Sequence, residues 1–113
     1  MTAPFNVPDL INGGWNSLDF APFREGIEIA KILEGEPALA VLRYQPGATV
    51  PAHRHPAPET VLVLEGSQTD DNGHYPTGTL IVNTAGSSHN VWSTDGCVVL
   101  VQWAKPIEFS GTK

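Results

Sequence analysis

A single cysteine, Cys97, leaves the chain without any internal disulfide. The fold must therefore be held by burial, and a reducing compartment suits it. Basic residues are scarce: six Lys and Arg stand against twelve Asp and Glu, a formal charge of −6. No basic run occurs, which argues against nucleic-acid binding and against a basic helix lying on a membrane surface. No segment approaches 18 consecutive apolar residues, so no helical membrane span is expected. Residues 1–10 lack the positive start and apolar stretch of a signal peptide. These absences lead to the expectation of a soluble cytoplasmic protein. No repeat or low-complexity tract divides the chain, and 113 residues fit one domain.

What the chain does have is turn-forming residues and apolar runs. Hydrophobic residues make up 41%, enough for a core, and 11 Gly with 10 Pro favour short strands joined by turns. Residues 1–22 read as an irregular N-terminal arm, with Gly13-Gly14 and Pro4, Pro8 and Pro22. Trp15 and Phe20 make this arm too apolar to stand in water. It is expected to pack on the barrel or on a partner subunit, with residues 23–113 forming the barrel. Residues 27–33 alternate apolar and polar, the mark of a half-buried strand, and residues 38–44 read as the next. Residues 60–65 and 97–101 are apolar on both faces, as in strands covered on both sides. Asn72-Gly73 and Asp95-Gly96 are both read as tight type I′ hairpin turns. No amphipathic helix is evident.

His53 and His55 carry the chemistry. At i and i+2 they share one face of a strand, about 6–7 Å apart along it. Two imidazoles so placed can close on one metal at bonds of about 2.0–2.1 Å. Glu59 four residues on, and His89 from a distant segment, would complete a three-nitrogen, one-oxygen site. If Glu59 is a ligand, Glu59, Val61 and Val63 point inward and Thr60, Leu62 and Leu64 outward. Outward leucines need a cover. The arm, a second sheet or another copy of the chain would supply it, which makes a homodimer an expectation.

The wider spacing carries a resemblance. Gly47, His53, His55, Glu59 and Gly66 match the first cupin motif at every fixed position, and Gly78, Gly86 and His89 match the second. Thr84 and Ser93 depart from it, where proline and asparagine are usual, and neither is a ligand. The stretches 53–66, 75–78 and 86–89, with Gly96-Cys97, are similar to the ChrR-like cupin family. The resemblance implies an all-β, single-domain cupin: an antiparallel jelly-roll β-barrel with a metal inside its mouth. The family includes the C-terminal domain of zinc-dependent anti-sigma factors, and its relatives include small dioxygenases that cleave diketones. Those anti-sigma proteins grip the sigma factor with a separate N-terminal zinc domain, which this chain lacks. Sigma-factor inhibition is therefore not expected of it.

The ligand set His53, His55, Glu59 and His89 suits a divalent ion: iron, zinc, nickel, copper or manganese. Four ligands on an octahedral ion leave two positions open for substrate and dioxygen, whereas tetrahedral zinc is closed by the same four. The readings are therefore a dioxygenase-like enzyme cleaving a diketone-like small molecule, a non-catalytic zinc-binding regulatory or sensor module, or non-redox metal chemistry. No general base is assignable. His74 reads as an exposed turn residue and Arg54 as facing outward. Cys97 reads as a small buried apolar residue, Glu65 as solvated, and Asp70 and Asp71 as turn residues. Trp92 and Trp103 read as core or interface, with the pocket wall as the alternative.

Overall fold

The structure, a computed structural model, describes residues 3–109. Two 3-10 turns, Leu10–Asn12 and Gly14–Ser17, precede ten strands. These are β1 (Ala21–Arg24), β2 (Ile27–Leu33), β3 (Ala38–Tyr44), β4 (Ala48–Arg54), β5 (Glu59–Asp70), β6 (Gly73–Pro76), β7 (Leu80–Asn83), β8 (Ser88–Ser93), β9 (Cys97–Trp103) and β10 (Glu108–Phe109). Every pairing is antiparallel, and hydrogen-bonded neighbours run β1-β2-β3-β9-β5-β8-β4-β10, with β6 and β7 also on β5. The described residues contain no α-helix. The expected all-β antiparallel barrel is the fold observed.

β5 turns the corner between the two halves of the sheet. From Glu59 to Gly66 it pairs with β9, and from Ser67 to Asp70 with β6. A bulge between Val63 and Glu65 and a left-handed Gly66 (φ 74°) make the bend. A Cβ at Gly66 would collide with the Gly96 carbonyl oxygen, so space and backbone both demand glycine. The bulge also flips the parity of the strand. Glu59, Val61 and Val63 face inward, as the sequence implies, but beyond the bend the buried residues are Gln68 and Asp70.

Alternation along the strands builds two apolar layers. Leu42, Val50, Val61, Val63, Val91 and Val99 fill the inside of the curl. Val41, Leu64 and Val98 point the other way and bury Trp15 among them, with Leu10, Leu18 and Phe20 packed alongside. The Arg43 guanidinium lies 4.0 Å above the Phe20 ring and pairs with Glu28 at 2.6 Å. Leu80 and Val82, on the outer face of β7, stay 61% and 57% exposed.

Two turns differ from their sequence reading. The β5–β6 loop is Asp71-Asn72, because Gly73 already pairs with Asp70. Neither Asn72 nor Gly73 has positive φ, so the turn is not type I′. Asp70 Oδ1 shapes it instead, accepting from the backbone N–H of Asn72 (2.8 Å) and of Gly73 (3.1 Å). Asp95-Gly96 does not close a hairpin either. β8 pairs with β4 and β5 while β9 pairs with β3 and β5, so this loop crosses between the halves.

Candidate metal centre

His53 on β4 and His89 on β8 are direct cross-strand partners, which puts both rings on one face. A bulge between Val50 and His53 sets that register. It also turns the Pro51 carbonyl to accept from His53 Nδ1 at 2.8 Å. His55 lies just past the end of β4. Its backbone N–H donates to the Ser87 carbonyl (2.9 Å) and its own carbonyl accepts from Gly86 (2.7 Å), so the 84–87 turn clasps it. The three rings are buried, with centroids 4.7–5.0 Å apart.

The second-nitrogen contacts fix which way each ring presents its lone pair. His53 Nδ1 donates to the Pro51 carbonyl, His55 Nδ1 faces the Ser87 carbonyl (3.1 Å) and hydroxyl (3.0 Å), and His89 Nδ1 donates to Asp70 Oδ2 (2.8 Å). These partners accept, so in the neutral rings all three Nε2 atoms carry lone pairs. The Nε2 atoms of His53 and His89 stand 3.1 Å apart, and the buried Nε2 of His55 has no hydrogen-bond partner. Three converging lone pairs repel unless a cation lies between them. Nitrogens bonded to one ion at about 2.05 Å sit about 2.9–3.4 Å apart in octahedral or tetrahedral geometry. The observed spacing fits a metal ion, and all three donor atoms lie within 4.8 Å of one another. Burial lowers the His53 pKa, opposed by the Pro51 hydrogen bond and helped by nearby His89, which favours the neutral ligand form.

Glu59 opens β5 and sits between Asn83 on β7 and Trp103 on β9. Asn83 Nδ2 donates to Glu59 Oε1 at 2.8 Å, and the same oxygen is 3.4 Å from His55 Nε2. Burial acts to raise its pKa, but a proton on the adjoining His55, together with the Asn83 amide, outweighs it and favours the carboxylate. Glu59 thus adjoins the three-histidine cluster without joining the group of donor atoms that lie within 4.8 Å.

Asp70 was legible only as a turn residue, yet it links the turn to the centre. Its Oδ1 receives the Tyr75 hydroxyl at 2.9 Å as well as the turn amides, and Oδ2 orients His89. A carboxylate on the far nitrogen of a ligand histidine fixes the tautomer and raises its basicity. Burial would raise the Asp70 pKa, but His89, Asn72 and Tyr75 donate to it and lower it. The bulge in β5 hid this role, because it shifts inward positions from odd to even numbers.

The centre opens into a cavity of about 330 Å³. His53, His89 and Glu59 line one part of it, and Leu42, Val61, Val101, Ile107 and Trp103 give it an apolar wall. Arg24, Tyr44 and Gln68 are its further polar lining residues. A mostly apolar pocket with few polar groups is the ordinary form of a small-molecule site.

The ChrR cupin-like domain model matches residues 13–105. The chain belongs to the ChrR cupin-like family. No curated protein matches its sequence. Among solved structures, the cupin fold recurs in the anti-sigma factor ChrR of Rhodobacter sphaeroides, solved in complex with SigE. That match has TM-score 0.76 at 22% identity, over 89% of this chain and 57% of that one. The chain thus spans little more than half of that protein. An acetylacetone dioxygenase from Acinetobacter johnsonii matches with TM-score 0.78 at 16% identity, over 96% of this chain and 79% of that one. The polyketide cyclase RemF from Streptomyces resistomycificus matches with TM-score 0.74 at 16% identity, over 100% and 88%.

Elsewhere in this ChrR cupin-like domain, Arg54 faces outward and pairs with Glu108 at 3.1 Å. His74 is exposed and bonds Thr69 (2.8 Å), away from the centre. Cys97 is buried, and burial pushes its thiol up to about 11. Trp103 lines the cavity with its indole N–H buried and unpartnered. Glu65 is exposed, as read.

Proposed function

We propose that His53, His55 and His89, with Glu59 as a fourth ligand, hold a divalent metal ion, and that the protein is a metal-dependent enzyme acting on a small oxygenated compound. Oxidative carbon–carbon cleavage of a diketone-like substrate is the favoured reaction. One observation carries the choice of enzyme over staple: two of the three histidines, His53 and His89, line with Glu59 a mostly apolar cavity of about 330 Å³. A structural centre has no need of such an opening. When bound, the ion supplies Lewis acidity toward a bidentate oxygen ligand and an anchor for dioxygen. The protein's own part is to bind and orient. Asp70, Pro51 and Ser87 fix the three rings, Asn83 holds Glu59, and the wall excludes water. Iron is the metal of this reading; zinc, nickel and manganese suit the same donors.

The test is oxygen consumption by iron-loaded protein across acetylacetone and related diketones. Turnover is expected. Baseline consumption with iron fully bound would remove the dioxygenase reading and favour a zinc-holding regulatory or sensor module. We also propose that residues 1–22 form an arm distinct from the 23–113 barrel, that the protein works in the cytoplasm, and that it is a homodimer. The described residues include no helix long and apolar enough to cross a membrane.

A further inference from the structure

The two ends of the strand order meet at the cavity. β1 ends it on one side and β10 on the other. The Arg24 guanidinium carbon, on β1, lies 4.8 Å from the centroid of the Phe109 ring, on β10. The Phe109 ring is in turn 6.0 Å from the His53 ring. Cation, aromatic ring and imidazole therefore run in order toward the histidine cluster. A bulge between Pro22 and Arg24 lets the successive residues Phe23 and Arg24 both line the cavity.

Arg24 is the one Lys or Arg among the residues lining this cavity. The other arginines are committed, Arg43 to Glu28 at 2.6 Å and Arg54 to Glu108 at 3.1 Å. Arg24 has no carboxylate within 4.0 Å among the described residues. Stacking occupies a face of the guanidinium and leaves its edge N–H groups free. A fork of free N–H groups in a fixed plane is the partner a carboxylate takes bidentately. Glu59 lines the same cavity but does not supply that partner: it forms no ion pair with Arg24 within 4.0 Å, and its Oε1 accepts from Asn83 at 2.8 Å.

We propose that Arg24, held on Phe109, is the carboxylate-binding residue of the cavity. The ligand it selects is a small carboxylate with an apolar body and a dioxo end directed at the histidine centre. This deepens the reading of the centre as a metal site for oxygenated compounds and rests on it. The competing role for Arg24 is a latch that only joins β1 to β10.

The experiment is calorimetric titration of zinc-loaded protein with 4,6-dioxoheptanoate and with its methyl ester. The pair shares the diketone and differs in the carboxylate. The acid is expected to bind about 10- to 100-fold tighter than the ester, the range of a charge-assisted hydrogen-bonded pair. Arg24→Gln should bring the acid down to the ester, leave the ester unchanged, and leave zinc content unchanged. Arg24→Lys should restore part of the preference, since it keeps charge without the planar fork. Equal binding of acid and ester to wild type overturns the proposal, as does binding of neither at millimolar concentration. Equal weakening of both by Arg24→Gln overturns it in favour of the latch. If the protein holds no zinc, an acid preference that still depends on Arg24 keeps the carboxylate site and removes the metal reading. Zinc bound without acid preference removes the carboxylate site alone.

Discussion

At the scale of single residues, the centre depends on groups that never touch its convergence point. Asp70 receives His89 Nδ1 at 2.8 Å while also accepting the Asn72 and Gly73 amides and the Tyr75 hydroxyl. Asp70→Asn keeps the shape and loses the charge. It is expected to weaken metal binding about 10- to 100-fold, read by competition with a chromogenic chelator. Unchanged affinity would leave Asp70 as a turn residue only. Acid should act in a defined direction. Burial holds His53 below its ordinary value of 6.5, so it stays neutral as the pH falls to that point. Metal affinity should fall as the pH drops through the imidazole range, as protons compete for the rings, with His53 the more resistant for being held below its ordinary value. In metal-free protein the same shift means that the unfolded chain takes the proton first, so stability falls as pH drops below 6.5. Metal affinity that stays flat between about pH 7.5 and 5, measured by chelator competition, would contradict imidazole ligation. The meeting of His53, His55 and His89, with Glu59 beside them, was legible because their spacing is local to a strand or fixed by motif. Asp70, Asn83 and Pro51 were not, because their roles come from cross-strand register and from bulges that leave no mark in composition.

At the scale of elements, the bend in β5 sets both halves of the sheet. Val63 and Glu65 flank its bulge, and Gly66 at φ 74° lies against the Gly96 carbonyl. Gly66→Ala combines an unfavourable backbone region with a steric clash, and each costs about 1–3 kcal/mol. A loss of about 2–6 kcal/mol in urea unfolding is expected, with the slope unchanged. A loss below 0.5 kcal/mol would mean that the corner tolerates side chains. Strand positions were the most legible part of the fold. β2 runs where alternation placed it, and β3 where the next strand was read, although β3 is buried on both faces, Leu42 inside the curl and Val41 against Trp15. The turns were less so. Asn72-Gly73 has the residues of a type I′ turn, but the Asp70 carboxylate captures the amides and imposes another form. Asp95-Gly96 reads as a hairpin locally, whereas β8 and β9 are pulled apart by pairing with other strands.

At the scale of the whole molecule, the outer face of the sheet is only partly covered. Trp15 buries Leu64, while Leu80 and Val82 on β7 remain 61% and 57% exposed beside Leu62. The proposed homodimer would cover this face with a second copy of the same strand. Light scattering at micromolar concentration should give the dimer mass, and Leu80→Lys with Val82→Lys should give the monomer. A wild-type monomer would leave the face unpartnered. The apolar character of residues 60–65 was enough to call for a cover, but no sequence pattern says which segment supplies it.

Holding a metal ion is the proposed purpose of the three converging imidazole nitrogens. Elemental analysis of protein purified without chelator tests it most directly, run beside His89→Ala. About one divalent ion per chain is expected in the wild type and far less in the variant. Wild-type protein that holds no divalent metal, even after incubation with iron, zinc, nickel and manganese, or a His89→Ala variant with full occupancy, would contradict it.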